Sequence, residues 1–91
     1  MTMRMAFMNS ESSVLRIIVE PWAEEYELRT GEQLVIQFSA DDEGGEPLID
    51  HVGGRLIVYG WPGSTVSVSR NGVELSGAGR LKAPPLPSGS C

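Results

Sequence analysis

Apolar and polar residues alternate with a period of two through most of this chain, and no window keeps helical spacing for more than about one turn. In segment 33–39, Leu34, Ile36 and Phe38 fall on one side of an extended backbone, and polar residues dominate the other side. A chain with this pattern pairs its strands into sheets and buries one face of each sheet. The pattern predicts an all-β fold and excludes a helical bundle.

Turn-forming residues divide the regular part of the chain into six or seven short strands. The candidate strands are 14–20, 25–29, 33–39, 48–52, 55–59, 65–70 and 73–75. Strand 55–59 is apolar without interruption, which predicts a central strand covered on both faces. Gly53-Gly54 connects it to the preceding strand.

The dipeptide Asn71-Gly72 lies between two alternating segments and is typical of a type I′ hairpin, which needs positive φ at both central residues. A two-residue loop at this point pairs Val68 with Leu75. The same loop places Arg70 opposite Val73. We therefore predict a hairpin between segments 65–70 and 73–75.

The pairing of segments 25–29 and 33–39 is open to two interpretations. A three-residue loop, with Gly31 at positive φ, sets Leu28 opposite Leu34 and makes a hairpin whose apolar rows share one face. Alternatively, the chain crosses at this loop from one sheet to another, as it often does in sandwiches. The sequence allows both.

These patterns predict a small antiparallel β-sandwich or a partly open barrel of six to seven short strands. Segment 28–36, Leu-Arg-Thr-Gly-Glu-Gln-Leu-Val-Ile, resembles a strand-turn-strand segment common in immunoglobulin-like and cupredoxin-like sandwiches. The resemblance implies a shape of that kind and no activity. We expect residues 1–12 to be a flexible N-terminal segment, 13–77 the domain, and 78–91 a flexible tail rich in Pro, Gly and Ser.

Twelve acidic and seven basic residues give a formal net charge of -5. The excess is local, since segment 20–50 contains ten acidic residues and one basic residue. Scattered basic residues exclude a sequence-independent nucleic-acid binder, which needs clustered Lys and Arg. The acidic segment favours a basic protein partner, with Glu24, Glu25 and Glu27 as candidate contacts, or a solvated face that keeps the domain soluble.

One histidine and one cysteine limit the chemistry available to the chain. They are too few for a blue-copper or a Cys/His zinc site. The acidic loop 41–46 lacks the spacing of an EF-hand, so we predict no cofactor and leave cation binding by this loop open. Cys91 cannot form an internal disulfide, and the first residues do not resemble a signal peptide, so we expect a cytoplasmic protein that does not bind membranes.

The favoured interpretation of function is a non-catalytic protein-interaction or binding module with an acidic face. An alternative is a small-ligand or carbohydrate-binding module that uses Trp22, Tyr59 and Trp61 as a platform. A third is a small acid-base enzyme using Asp50 and His51, although neighbours on a strand point to opposite faces.

The sequence also offers a route to self-association. Strand 13–20 has one charged residue within it, Arg16, before Glu20 ends it, and an edge strand of this kind pairs readily with a partner's sheet. We therefore expect that a homodimer, if one forms, uses this strand.

Overall fold

The computed structural model describes residues 2–41 and 45–75. These residues form eight strands: β1 (Thr2–Met8), β2 (Leu15–Glu20), β3 (Glu24–Leu28), β4 (Gln33–Ser39), β5 (Leu48–Val52), β6 (Arg55–Tyr59), β7 (Thr65–Arg70) and β8 (Val73–Glu74). Half of the acidic loop, residues 42–44, and the predicted tail 78–91 lie outside the described residues. No helix in the described part of the chain is long and apolar enough to cross a membrane.

The strands form two four-stranded sheets. Sheet A has the order β1-β4-β7-β8, and sheet B has the order β3-β2-β6-β5. The predicted all-β sandwich is confirmed, with eight described strands instead of six or seven. Sheet B is mixed instead of purely antiparallel, because β2 and β6 run parallel. They can do so because the chain leaves sheet B after β3, passes through β4 in sheet A, and returns to form the β5–β6 hairpin.

The N-terminal residues correct one expectation. Residues 2–8, placed by the sequence pattern in a flexible segment, form β1 and pair with β4 from Thr2↔Ser39 to Met8↔Gln33. The inward side chains of β1 are Met3, Met5 and Phe7, all half-buried. Methionine is a weak strand signal because it is neither β-branched nor aromatic, so the alternation in this segment indicates a strand only weakly.

The chain crosses between the sheets at Gly31. Strand β3 pairs with β2 in sheet B, and β4 pairs with β1 and β7 in sheet A. Of the two interpretations that the sequence allows, the direct hairpin is therefore wrong, and the crossing between two sheets is correct. Gly31 has a φ of +83°, as the turn requires. Crossing allows Leu28 and Leu34, both fully buried, to face the core from opposite sheets.

A buried asparagine holds the same end of the sandwich. Asn9 is 2% exposed, and its Nδ2 donates to the carbonyl oxygens of Leu28 at 2.9 Å and Ser13 at 2.8 Å. Its Oδ1 accepts a hydrogen bond from the backbone N–H of Glu11 at 3.0 Å. The backbone of Asn9 also bonds to Gly31 and Glu32. These contacts join the β1–β2 connection to the β3–β4 connection.

The core lies between the sheets and centres on β2 and β4. Its buried hydrophobic residues are Ile17, Val19, Leu28, Leu34, Ile36, Phe38, Val58, Trp61, Val66 and Val68. Strand β6 contributes a single buried residue, Val58, whereas Ile57 and Tyr59 on its other face are half-buried. Strand β6 is central in sheet B, as predicted, but the expectation that both of its faces are covered is wrong, because no element packs on the outer side of sheet B in the described residues.

Both short hairpins follow the local prediction. Gly53-Gly54 joins β5 to β6 with Val52 opposite Arg55. Asn71 and Gly72 have φ of +53° and +80°, and the backbone N–H of Leu75 donates to the carbonyl of Val68 at 2.7 Å. The register predicted for β7 and β8 is confirmed.

Candidate binding surfaces

Strand register decides which side chains share the outer face of sheet B. The inward residues Ile17, Val19 and Val58 are fully buried, so their strand neighbours face outward. Across the sheet, the outer face carries Glu25 and Glu27 on β3, Arg16, Ile18 and Glu20 on β2, Arg55, Ile57 and Tyr59 on β6, and Leu48, Asp50 and Val52 on β5. Charged residues are therefore more frequent on β3 and β2, and apolar residues are more frequent on β6 and β5.

A groove of about 500 Å³ runs along the free edge of β3. We call it the acidic groove; its lining residues are Val14, Glu25, Tyr26, Glu27, Arg29, Glu32 and Arg70. Three of these residues are carboxylates and two are arginines. The groove is about half open to solvent and its lining is mainly polar, so it suits another protein surface better than an enclosed apolar small molecule.

Two of the groove carboxylates are weakly held. Glu25 and Glu27 lie 3.8 and 3.9 Å from the guanidinium of Arg16, which the two carboxylates share. The Glu25 and Glu27 side chains are 52% and 63% exposed, and Arg16 is 55% exposed. Long, solvated ion pairs of this kind contribute little to stability. Both carboxylates therefore remain available to a cation from outside.

Glu24 does not share this surface, although the sequence analysis grouped it with the other two. It lies on the opposite face of β3 and is half-buried, and its Oε2 accepts a hydrogen bond from the Tyr26 hydroxyl at 3.2 Å. Its Oε1 is buried and has no hydrogen-bond partner among the residues that the structure describes. Successive side chains of a strand point to opposite faces, so the sequence itself indicates that Glu24 does not share a face with Glu25.

Tyr26 is a hydrogen-bond donor in this arrangement. Burial raises the pKa of its hydroxyl above the ordinary value, and the nearby charge of Glu24 and the hydrogen bond to it raise this pKa further. The phenol therefore stays protonated and continues to donate to Glu24 at neutral pH. Tyr26 is one of the residues that line the acidic groove.

Arg70 links the two sheets at this edge. Its Nη2 donates to the carbonyl oxygen of Glu27 at 2.6 Å, which joins β7 of sheet A to β3 of sheet B. Its Nε is buried, and no hydrogen-bond partner for it lies in the described part of the chain. The sequence analysis missed this residue, yet a signal exists: Arg70 follows Val66 and Val68 on the inward side of β7, where an apolar residue is expected.

The three aromatic residues of the alternative site do not form one platform. Trp61 is 7% exposed and packs against Phe38, with ring centroids 5.5 Å apart. Trp22 also packs against Phe38, with ring centroids 6.3 Å apart, and is half-buried. Tyr59 lies on the outer face of sheet B. The two tryptophans thus close one end of the core, while Tyr59 is on a different surface.

The predicted acid-base pair is also separated. Asp50 lies opposite Ile57 on the outer face, and His51 lies opposite Leu56 on the inner side. Both side chains are exposed. Adjacent residues of a strand point to opposite faces, so neither group can exchange a proton with a substrate held by the other.

The strand expected to mediate self-association is not at an edge. Strand β2 is hydrogen-bonded to β3 on one side and β6 on the other, so its backbone is already paired. This part of the prediction is wrong because the parallel partner β6 is distant in sequence. Among residues 2–41 and 45–75, the edge strands of sheet B are β3 and β5.

Comparisons with known proteins add no relative to this description. The chain matches no protein-family model, no curated protein and no solved structure.

Proposed function

We propose that this chain is a non-catalytic protein-interaction module that binds a basic surface of its partner through the acidic groove. The observation that carries the proposal is the pair Glu25 and Glu27, both exposed and, among the described residues, held only by long contacts to one shared arginine. Binding a cationic partner exchanges a weak internal ion pair for closer contacts. Complementary charge of this kind speeds association and selects partners.

The alternative functions have less support. A carbohydrate platform needs exposed aromatic faces that lie together, whereas Trp61 is buried against Phe38. An acid-base enzyme needs two groups that reach one substrate, and Asp50 and His51 point apart. A binding role for the acidic groove requires no rearrangement of the described residues.

We also propose a cytoplasmic location. The single cysteine of the chain cannot form an internal disulfide, and the fold is held by a hydrophobic core and buried hydrogen bonds. A domain of this kind has no need of an oxidising compartment. Fractionation of the cells that produce the protein tests this assignment.

The experiment that tests the function is affinity capture from those cells with the tagged full chain. Wild type is compared with the double variant Glu25→Lys, Glu27→Lys and with a matched control, Glu11→Lys, Glu46→Lys, in which the charge change is the same and both positions are exposed. Circular dichroism verifies that all three are folded β proteins. We expect a basic protein that wild type and control retain, and that the groove variant binds about tenfold more weakly.

Salt provides a second readout, because the attraction between exposed charges decays over a screening length of about 10 Å at 0.1 M ionic strength and over a shorter length at higher salt. Retention of the partner should therefore fall as salt rises. Equal retention by the groove variant and the control, or no capture by wild type at low salt, would contradict the proposal.

A further inference from the structure

Strand β5 is an open edge at the side of sheet B opposite the acidic groove. All five of its residues are exposed, including Leu48 at 64%, Ile49 at 44% and Val52 at 44%. Within the described residues, β5 makes its backbone pairs with β6 alone. The other side of an edge strand presents unpaired N–H and C=O groups, which are a template for another strand.

The two edges of sheet B differ in protection. At β3, Arg70 occupies the carbonyl of Glu27, and two exposed carboxylates flank the backbone. Charges and capped backbone groups are the usual means of keeping a strand from pairing with another chain. At β5, by contrast, apolar side chains are exposed on both faces of the strand.

The outer row of β5 indicates what kind of strand fits. Leu48, Asp50 and Val52 lie in line on the outer face of sheet B. Asp50 has an apolar neighbour on each side and forms no ion pair within the part of the chain that the structure describes. An added strand would therefore be complementary to this row if it placed a basic residue opposite Asp50 and an apolar residue opposite each of the two neighbours of Asp50.

A second copy of this chain fits less well. The antiparallel register that sets Leu48 opposite Val52 of the copy also sets Asp50 opposite Asp50 of the copy, and directly opposed like charges are destabilising. A register shifted by two residues in either direction places Asp50 opposite an apolar residue and leaves its charge unmatched. The row thus disfavours self-pairing.

We propose that β5 binds, by strand addition, an extended segment of another protein in which Lys or Arg lies between two apolar residues at alternate positions. Main-chain hydrogen bonds to the free edge supply affinity, and the Leu48, Asp50, Val52 row supplies specificity. This site is separate from the acidic groove, so binding at β5 does not depend on whether the groove binds a partner.

The probe is the peptide Ser-Gly-Ile-Thr-Lys-Thr-Val-Gly-Ser, together with a second peptide in which Glu replaces Lys. Each is titrated into the isotope-labelled full chain and followed by NMR. We expect the lysine peptide to shift the amide signals of β5 and β6, and wild type to bind it about fivefold more tightly than the glutamate peptide. In the Asp50→Lys variant the preference should reverse.

Glu27→Lys is the matched control, because it makes the same charge change on the outer face of the same sheet at the opposite edge. It should leave the preference for the lysine peptide intact, whereas it should weaken a partner of the acidic groove. Sedimentation of the free chain examines self-pairing. The proposal is overturned if the shifts map outside β5 and β6, if the two peptides bind equally, if neither binds, or if the chain forms a dimer that Leu48→Lys dissociates.

Discussion

The two ends of the sandwich are closed by different chemistry. At the polar end, Asn9 is buried and its side chain makes three hydrogen bonds to the backbone of two connections. At the aromatic end, Trp22 and Trp61 both pack against Phe38. Hydrogen bonds specify a path for the chain, whereas aromatic packing fills volume. Stability at the first end should therefore depend on donors and acceptors, and stability at the second on size and fit.

The largest effect is expected for Trp61→Ala. This substitution removes a nearly fully buried ring beside Phe38 and should lower the free energy of unfolding by about 3–5 kcal/mol. Trp22→Ala is the comparison within the same end: because Trp22 is half-buried, it should cost about 2 kcal/mol. Urea denaturation measures both values, and equal losses would show that burial does not set the contribution at this end.

Asn9→Ala tests the polar end. The substitution leaves the carbonyl of Leu28 buried without the donor it has at 2.9 Å, and should cost about 2–3 kcal/mol in urea denaturation. Asn9→Asp is the matched variant, since it keeps an acceptor for the N–H of Glu11 but loses both donated bonds. It should be at least as destabilising as Asn9→Ala. A near-neutral result for both would mean that packing closes this end as well.

Gly60→Ala tests the fit at the aromatic end without removing an aromatic ring. A Cβ at this position would lie 2.6 Å from Cη2 of Trp22 and 2.9 Å from Oγ of Ser64, so the neighbours must shift. Ser64 is fully buried and bonded to Trp61, which limits the shift, and we expect a loss of about 1–2 kcal/mol. Gly54→Ala, whose added methyl meets nothing within 4 Å, should be close to neutral.

The smallest effect concerns pH. The pKa of Tyr26 is raised in the folded chain, with burial as the leading cause, so folding favours the protonated phenol. This contribution is complete below the unfolded-state pKa of about 10 and is lost as pH rises from there toward the higher folded-state pKa. Denaturation at several pH values above 9 should show a steeper decline for wild type than for Tyr26→Phe. Parallel declines would exclude Tyr26 as the source.

Prediction from sequence succeeded where the signal was local. The type I′ hairpin at Asn71-Gly72 and the positive φ at Gly31 depend on backbone preferences of single residues. It failed where two distant segments compete for one partner: β2 pairs with β6, and β4 with β1, over separations that no local rule spans. The methionine-rich β1 combined both difficulties, because its residues are weak strand formers and its partner lies beyond two other strands.

The candidate binding surfaces also divide into features that local sequence predicts and features that depend on contacts between distant segments. The acidic character of segment 20–50 and the exposure of Glu25 and Glu27 could be anticipated, since both residues alternate with apolar positions of β3. The role of Arg70 could not, because its contact with Glu27 joins strands in different sheets. The open edge at β5 likewise depends on which strand occupies each side of sheet B.

The sequence by itself determined that this chain is a β protein, where most of its strands lie and which side of most strands faces the core. Those properties follow from the period of a strand and from the burial of apolar side chains, which act residue by residue. The tertiary structure alone decided which strands share a sheet, which edges stay free and which charges meet. Strand pairing is a choice among alternatives of similar local quality, and the packing of the whole core selects one of them.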